Sequence, residues 1–227
     1  MKTPALLALL AALAVAAVPG TAAAANECNG IPRCIPVEGP WVSVPANGEI
    51  VFALACPEGK GIVAGTDGQG SSLDIRASFD GILGAPVAFG RTTHTSALFR
   101  AVSAHHKAGS FKPFIGCIPS PSAVRNTIAA TVTPVGPPLD LVFKTVPLSA
   151  GAEKTLTIQC PSGETLVDSW NATAFNTNGP PPPGFASAIR VKARQVGTKV
   201  QVAMSASEAL PSSAQAQVQV GVRCATG

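Results

Sequence analysis

Apolar residues follow two regimes along this chain. Residues 5–18 form an unbroken apolar run of fourteen positions; beyond them, apolar residues come in short runs that alternate with polar ones or stop at Gly and Pro. The cleanest alternation covers residues 217–224. There Val218, Val220, Val222 and Cys224 fall on one side, and Gln217, Gln219, Gly221 and Arg223 on the other. A period of two sends successive side chains to opposite faces of a strand, so this segment predicts a β-strand half-buried on its valine face. Similar runs predict early strands over 49–56 and 154–160, and opening strands over 41–44 and 141–146. A hairpin is expected from 189–193 and 199–204, turning at Gln195-Val196-Gly197-Thr198. Residues 96–106 have helical spacing at Leu98, Ala101, Val102 and His105, but their place in the chain matches the strand around Val200 to Met204, and they are read as strand. Residues 111–117 predict a closing strand, and 126–133 are strand-like. The glycine-rich stretch 65–71 reads as a loop, and Pro180 to Pro183 as a stiff, extended one.

These elements occur twice. Residues 44–63 and 146–167 share Val-Pro, a glycine-containing turn, an extended run, Cys-Pro-x-Gly and an aliphatic pair. Cys56, Pro57, Gly59, Ile62 and Val63 match Cys160, Pro161, Gly163, Leu166 and Val167 without a gap. A second cysteine follows each, Cys117 after 61 residues and Cys224 after 64. Self-similarity of this kind signals a duplicated structural unit. Short strands, frequent turns and one long-range cysteine pair per unit predict an all-β protein: two tandem immunoglobulin-like β-sandwich modules, each with one disulfide. The expected layout is a signal peptide at 1–25, an N-terminal segment with a short disulfide loop at 26–35, a first module at 36–122, a connecting and strand-forming segment at 123–137, and a second module at 138–227.

The six cysteines allow fifteen pairings, and the repeat selects one of them: Cys56–Cys117 and Cys160–Cys224, leaving Cys28–Cys34. Loops of that length are each worth roughly 4 kcal/mol in the chain-entropy account of disulfide stabilisation. No C-x₂-C pair is present, which argues against a zinc site.

The first residues change the compartment. Lys2, the apolar run, Pro19-Gly20 and the small residues Thr21 to Ala25 follow the order of a secretory signal peptide, with cleavage expected after Ala25. The run is shorter than the ~20 residues a membrane span requires. No lipidation motif precedes Cys28 and no apolar tail follows Cys224, so no covalent anchor and no transmembrane segment after signal cleavage are expected. The protein is therefore expected to be secreted, extracellular, or periplasmic if the producer has an outer membrane. Removing 1–25 leaves 15 basic against 12 acidic residues. Only Arg190, Lys192 and Arg194 cluster; they would line one face of a strand, with Ile189, Val191 and Ala193 on the other. That charge is too sparse for nucleic acid, and a solvated face is the plainer reading. With 22 Gly, 21 Pro and no tyrosine, many turns and few long helices are expected.

Candidate chemistry is thin. His94, His105 and His106 are the only histidines, and the adjacent pair would point to opposite strand faces. No nucleophile elbow, zincin motif, P-loop or dinucleotide fingerprint occurs. Asp74 and Asp80 are the kind of carboxylate pair that composition alone permits. Asn171-Ala172-Thr173 fits a glycosylation acceptor, and Trp41 and Trp170 are stacking candidates that read better as core. Catalytic, metal and cofactor sites are thus expected to be absent, leaving Cys28, Cys34, Cys56, Cys117, Cys160 and Cys224 as the marked residues.

The Cys-Pro-x-Gly motif at Cys56-Pro57-Glu58-Gly59 and Cys160-Pro161-Ser162-Gly163, closed by Cys117 and Cys224, resembles tandem secreted β-sandwich modules common in actinobacteria. Where such modules carry a glycine cluster after the aliphatic pair, this chain has Ala64-Gly65 and Asp168-Ser169. The resemblance implies a secreted β module without implying an activity. The function expected is non-enzymatic binding of an envelope polysaccharide or a surface protein; a self-assembling structural subunit and a wall-glycan hydrolase are the alternatives.

Overall fold

The computed structural model describes residues 26–31, 33–57, 61–80, 95–104, 106–118 and 139–226. The expected signal segment 1–25, the expected connecting segment 123–137 with its strand-like 126–133, His94 and His105 lie outside the described residues. Strands make up most of what is described: β1 (Ile35–Glu38), β2 (Trp41–Val44), β3 (Glu49–Ala55), β4 (Ile62–Gly70), β5 (Ile75–Asp80), β6 (Ser96–Ser103), β7 (Gly109–Ile118), β8 (Asp140–Leu148), β9 (Glu153–Gln159), β10 (Glu164–Phe175), β11 (Ile189–Val196), β12 (Lys199–Ala206) and β13 (Ala216–Thr226). Among the described residues the one α-helix, α1 (Pro183–Ser187), is a little over one turn long. Among the described residues no helix is long and apolar enough to cross a membrane.

The strands pair antiparallel into three sheets. One has seven strands, ordered β1-β7-β2-β10-β13-β8 with β4 also on β7; the others are β3-β6-β5 and β11-β12-β9. β1 and β2 share one side of β7, with Ile35 opposite Cys117 and Val42 opposite Phe111. Between them the Gly39 N–H donates to the Pro113 carbonyl, and Pro40, lacking an N–H, breaks the strand. β4 lies along the other side of β7. The sheet then passes from β2 to β10 through the pairs Ala174–Val42 and Phe175–Trp41, so it runs without a break from the N-terminal half into the C-terminal half.

Each three-stranded sheet packs on part of the long one. Val200, Val202 and Met204 of β12 meet Val218, Val220 and Val222 of β13 in the C-terminal core. Phe52, Phe99 and Ala101 of β3 and β6 meet Val42, Phe111 and Ile115 of β2 and β7 in the N-terminal core. The second core also takes in Ala172 and Ala174 of β10. The opposite face of β3 and β6 is covered as well: Ala53 and Leu98 pack on Trp170, with Leu141 and Phe143 beside it. β3 and β6 are thus buried between elements of both halves, while β5 is exposed over most of its length.

Disulfides join Cys56 to Cys117, Cys160 to Cys224 and Cys28 to Cys34. The first two cross between facing sheets, near the ends of β3 and β9. The third closes the N-terminal loop, which lies over a flat spot made by Gly65 and Gly116, register partners on β4 and β7. A side chain at either glycine would collide with the Glu27 carbonyl.

Several expectations need correction. The glycine-rich stretch 65–71 is not a loop: most of it is the second half of β4, and Gly65 makes room for the N-terminal segment. Residues 217–224 are strand but not half-buried, because Gln219 and Gly221 on the supposed solvent face are covered by Trp170 and β3. Pro180 to Pro183 is extended only in part. Pro183 opens α1, where its missing N–H is not required. β6 stops at Ser103, short of His106, and Ala193 is exposed rather than turned inward with Ile189.

Candidate binding groove at the seam

The seam between the halves is organised by one side chain. β3 is an edge strand, and Ala53 on it has an N–H and a C=O pointing away from β6. Gln219 of β13 satisfies both. The Ala53 N–H donates to Gln219 Oε1 at 2.7 Å, and Gln219 Nε2 donates to the Ala53 carbonyl at 2.8 Å. The carboxamide therefore stands in for the next strand and closes a sheet edge that would otherwise be open. The Trp170 indole N–H points to the same oxygen at 3.3 Å, and Gln219 is only 1% exposed. Gly221, two residues along, leaves the space the Trp170 ring fills. At the far end Arg223 forms an ion pair with Asp80 of β5 at 3.1 Å.

The opposite face of the long sheet, at the same seam, carries a groove. Side chains alternate along β2 and β7, so with Val42, Val44 and Phe111 in the core, Ser43 and Ser110 point the other way. Ser43 and Ser110 are register partners. On β10, Thr173 precedes Ala174, the partner of Val42, and Asn171 lies two residues further on the same face. Hydroxyls of three adjacent strands and one carboxamide thus pave a polar floor, with rows about 4.8 Å apart. The proline segment Pro181 to Pro183 with Ala186 walls the groove, and Pro45 and Ile50 also line it. α1 is held in place by Phe185, whose ring lies 5.7 Å from that of Phe175. The cavity is about 390 Å³, within the usual size range of small-ligand sites.

The wall is rigid before any ligand arrives, because proline fixes φ, and it offers no N–H to desolvate. The floor donates and accepts neutral hydrogen bonds, and among the described residues no titratable side chain lines the groove. Such a site suits an extended, uncharged chain with hydroxyl or amide groups on one side and apolar surface on the other. Among the described residues no cluster of metal ligands is found.

The other residues singled out by sequence are dispersed. Asp74 and Asp80 flank β5 and stand about 20 Å apart along an extended chain. His106 is exposed and hydrogen-bonds Asn47 through Nδ1. Trp170 and Trp41 are both buried. Lys112, on β7, pairs with Glu38 and lies 5.7 Å from the Trp41 ring; burial pushes its pKa below the ordinary lysine value. Arg190, Lys192 and Arg194 are exposed on β11, away from the groove. Of the marked segments, Asn171-Ala172-Thr173 and the prolines are the two that the fold brings together. Ser43 and Ser110 carried no sequence signal, since their partners come from other strands.

No family model, no curated protein and no solved structure matches this chain.

Proposed function

We propose that this is a secreted, non-enzymatic binding protein made of two immunoglobulin-like modules, each pinned by its own long-range disulfide, that holds an envelope polysaccharide or a surface protein in the seam groove. The observation that carries the reading is the groove itself: a preformed, hydroxyl-floored and proline-walled cleft to which both halves contribute. Three disulfides suit an oxidising compartment, as a signal peptide at 1–25 requires. The two halves also show corresponding strand orders, β3-β6-β5 beside β9-β12-β11, which favours duplication of one module. A hydrolase would need acid and base groups in its cleft, whereas this groove is lined by neutral side chains. Self-assembly through sheet edges is disfavoured by Lys144 and Pro147 on the outer strand β8.

The test is a pull-down of the mature protein against the producer's envelope fraction and a glycan panel, beside a Thr173→Arg variant that fills the groove. Retention of the wild type and loss of the variant supports the reading. Retention of neither, or equal retention of both, removes it. Sedimentation that stays monomeric at high concentration separates binding from self-assembly.

A further inference from the structure

We infer that the outer face of the β11-β12-β9 sheet docks a linear phosphodiester polymer of the cell envelope, a polyol phosphate, along β11. This surface is separate from the seam groove and does not depend on it. Ile189 and Val191 of β11 and Val200, Val202 and Met204 of β12 pack into the C-terminal core, so the alternate residues face outward. Arg190, Lys192 and Arg194 project from β11, and Lys199 opens β12 on the same side; all four are exposed. The cross-strand pairs Arg190–Ser205, Lys192–Ala203 and Arg194–Gln201 continue to Glu153, Thr155 and Thr157 on β9. The cations therefore lie beside a patch of hydroxyl and amide groups.

Among the described residues no ion pair neutralises their charge. The ion pairs among the described residues, Arg100–Glu49, Lys112–Glu38 and Arg223–Asp80, all lie elsewhere. Arg194 donates to Gln201 Oε1 at 2.9 Å, a neutral partner. Glu153 projects from β9 on this face with Ser205 between it and Arg190, and Glu208, just after β12, lines the same hollow as both. Two strand spacings put the Glu153 and Arg190 backbones about 10 Å apart, and among the described residues neither acid forms an ion pair with Arg190.

Spacing and shape select the partner. Alternate residues on a strand recur about every 6.6 Å, similar to the separation of phosphorus atoms in an extended glycerol-phosphate chain. Arginine forks bind phosphate oxygens in pairs, and lysine supplies a point charge between them. Among the described residues no aromatic side chain projects from this face, so a single-stranded nucleic acid would find no ring there on which to stack its bases. A broad, flat sheet does not enter a duplex groove as a helix or two-stranded ribbon does. A base-free phosphodiester chain fits best.

The experiment titrates the mature protein with fluorescent poly(glycerol phosphate) at several salt concentrations. A single-stranded oligothymidylate and a polyuronate serve as comparison ligands. R190Q/K192Q/R194Q removes the row, while R76Q/K107Q/K144Q removes equal charge from other exposed sites. The expected result is binding to the polyol phosphate that weakens with salt. The row variant should lose about tenfold or more in affinity, with the slope of log K against log salt flatter by about 2, while the control variant and T173R keep theirs. Near-UV circular dichroism should show both triple variants folded. The inference is overturned if the wild type fails to bind, if the control variant loses as much as the row variant, or if oligothymidylate or polyuronate binds as tightly.

Discussion

Replacing Gln219 should cost more than replacing any other polar residue of the C-terminal half. In Gln219→Ala, the Ala53 N–H and C=O lose partners at 2.7 and 2.8 Å, and the Trp170 N–H loses a weaker one at 3.3 Å. A buried polar group left without a partner costs about 1–3 kcal/mol. The two short bonds dominate, and the missing side-chain volume adds to them, giving about 3–5 kcal/mol. That is a large fraction of the 5–15 kcal/mol typical of a folded protein. Gln219→Leu nearly restores the volume but not the hydrogen bonds, so it should recover less than half of the loss. Gln217→Ala, on the same strand face but only half-buried, should stay within about 1 kcal/mol of wild type. Guanidinium chloride unfolding, followed by tryptophan fluorescence, reads all three; the midpoint should fall while the slope holds. If Gln219→Ala and Gln219→Leu both unfold within 1 kcal/mol of wild type, the carboxamide does not close the β3 edge.

Other perturbations follow from the same packing. Gly221→Ala would put a methyl group inside the Trp170 ring, so the indole must move; a loss of about 1–3 kcal/mol and a changed near-UV tryptophan signal are expected. Lys112 has a folded pKa depressed below its unfolded value of 10.5 by burial, so the folded state releases its proton first. Stability should therefore rise as pH climbs through the folded pKa towards 10.5, and the rise should vanish in Lys112→Met; parallel pH profiles for the two proteins would contradict the assignment. Cys160→Ser/Cys224→Ser opens a 64-residue span and should cost about 2–5 kcal/mol by chemical unfolding, whereas Cys28→Ser/Cys34→Ser, which spans 6 residues, should cost clearly less.

What the sequence revealed and what it hid follow the range of the interactions. The valines of β13 and the runs of β9 and β12 announce themselves because one face of each strand meets a core of its own half. Gln219 looked like a solvent-facing residue of an alternating strand, since its partner Ala53 lies 166 residues earlier. β4 looked like a loop because glycine is poor in strands; Gly65 is there to admit the Glu27 backbone, a contact no local pattern encodes. The groove was hidden for the same reason. Its floor comes from β2, β7 and β10 and its wall from a proline segment, and only the β2–β10 pairing brings them together. Asn171-Ala172-Thr173 and the prolines stood out separately, but nothing local placed them side by side.

The seam groove is tested by amide shift mapping of the isotope-labelled protein from residue 26 onward, titrated with polymer released from the producer's envelope. Saturable shifts are expected at Ser43, Ser110, Asn171 and Thr173. Groove amides that stay fixed while the polymer binds elsewhere, or through the whole titration, would contradict binding in the groove.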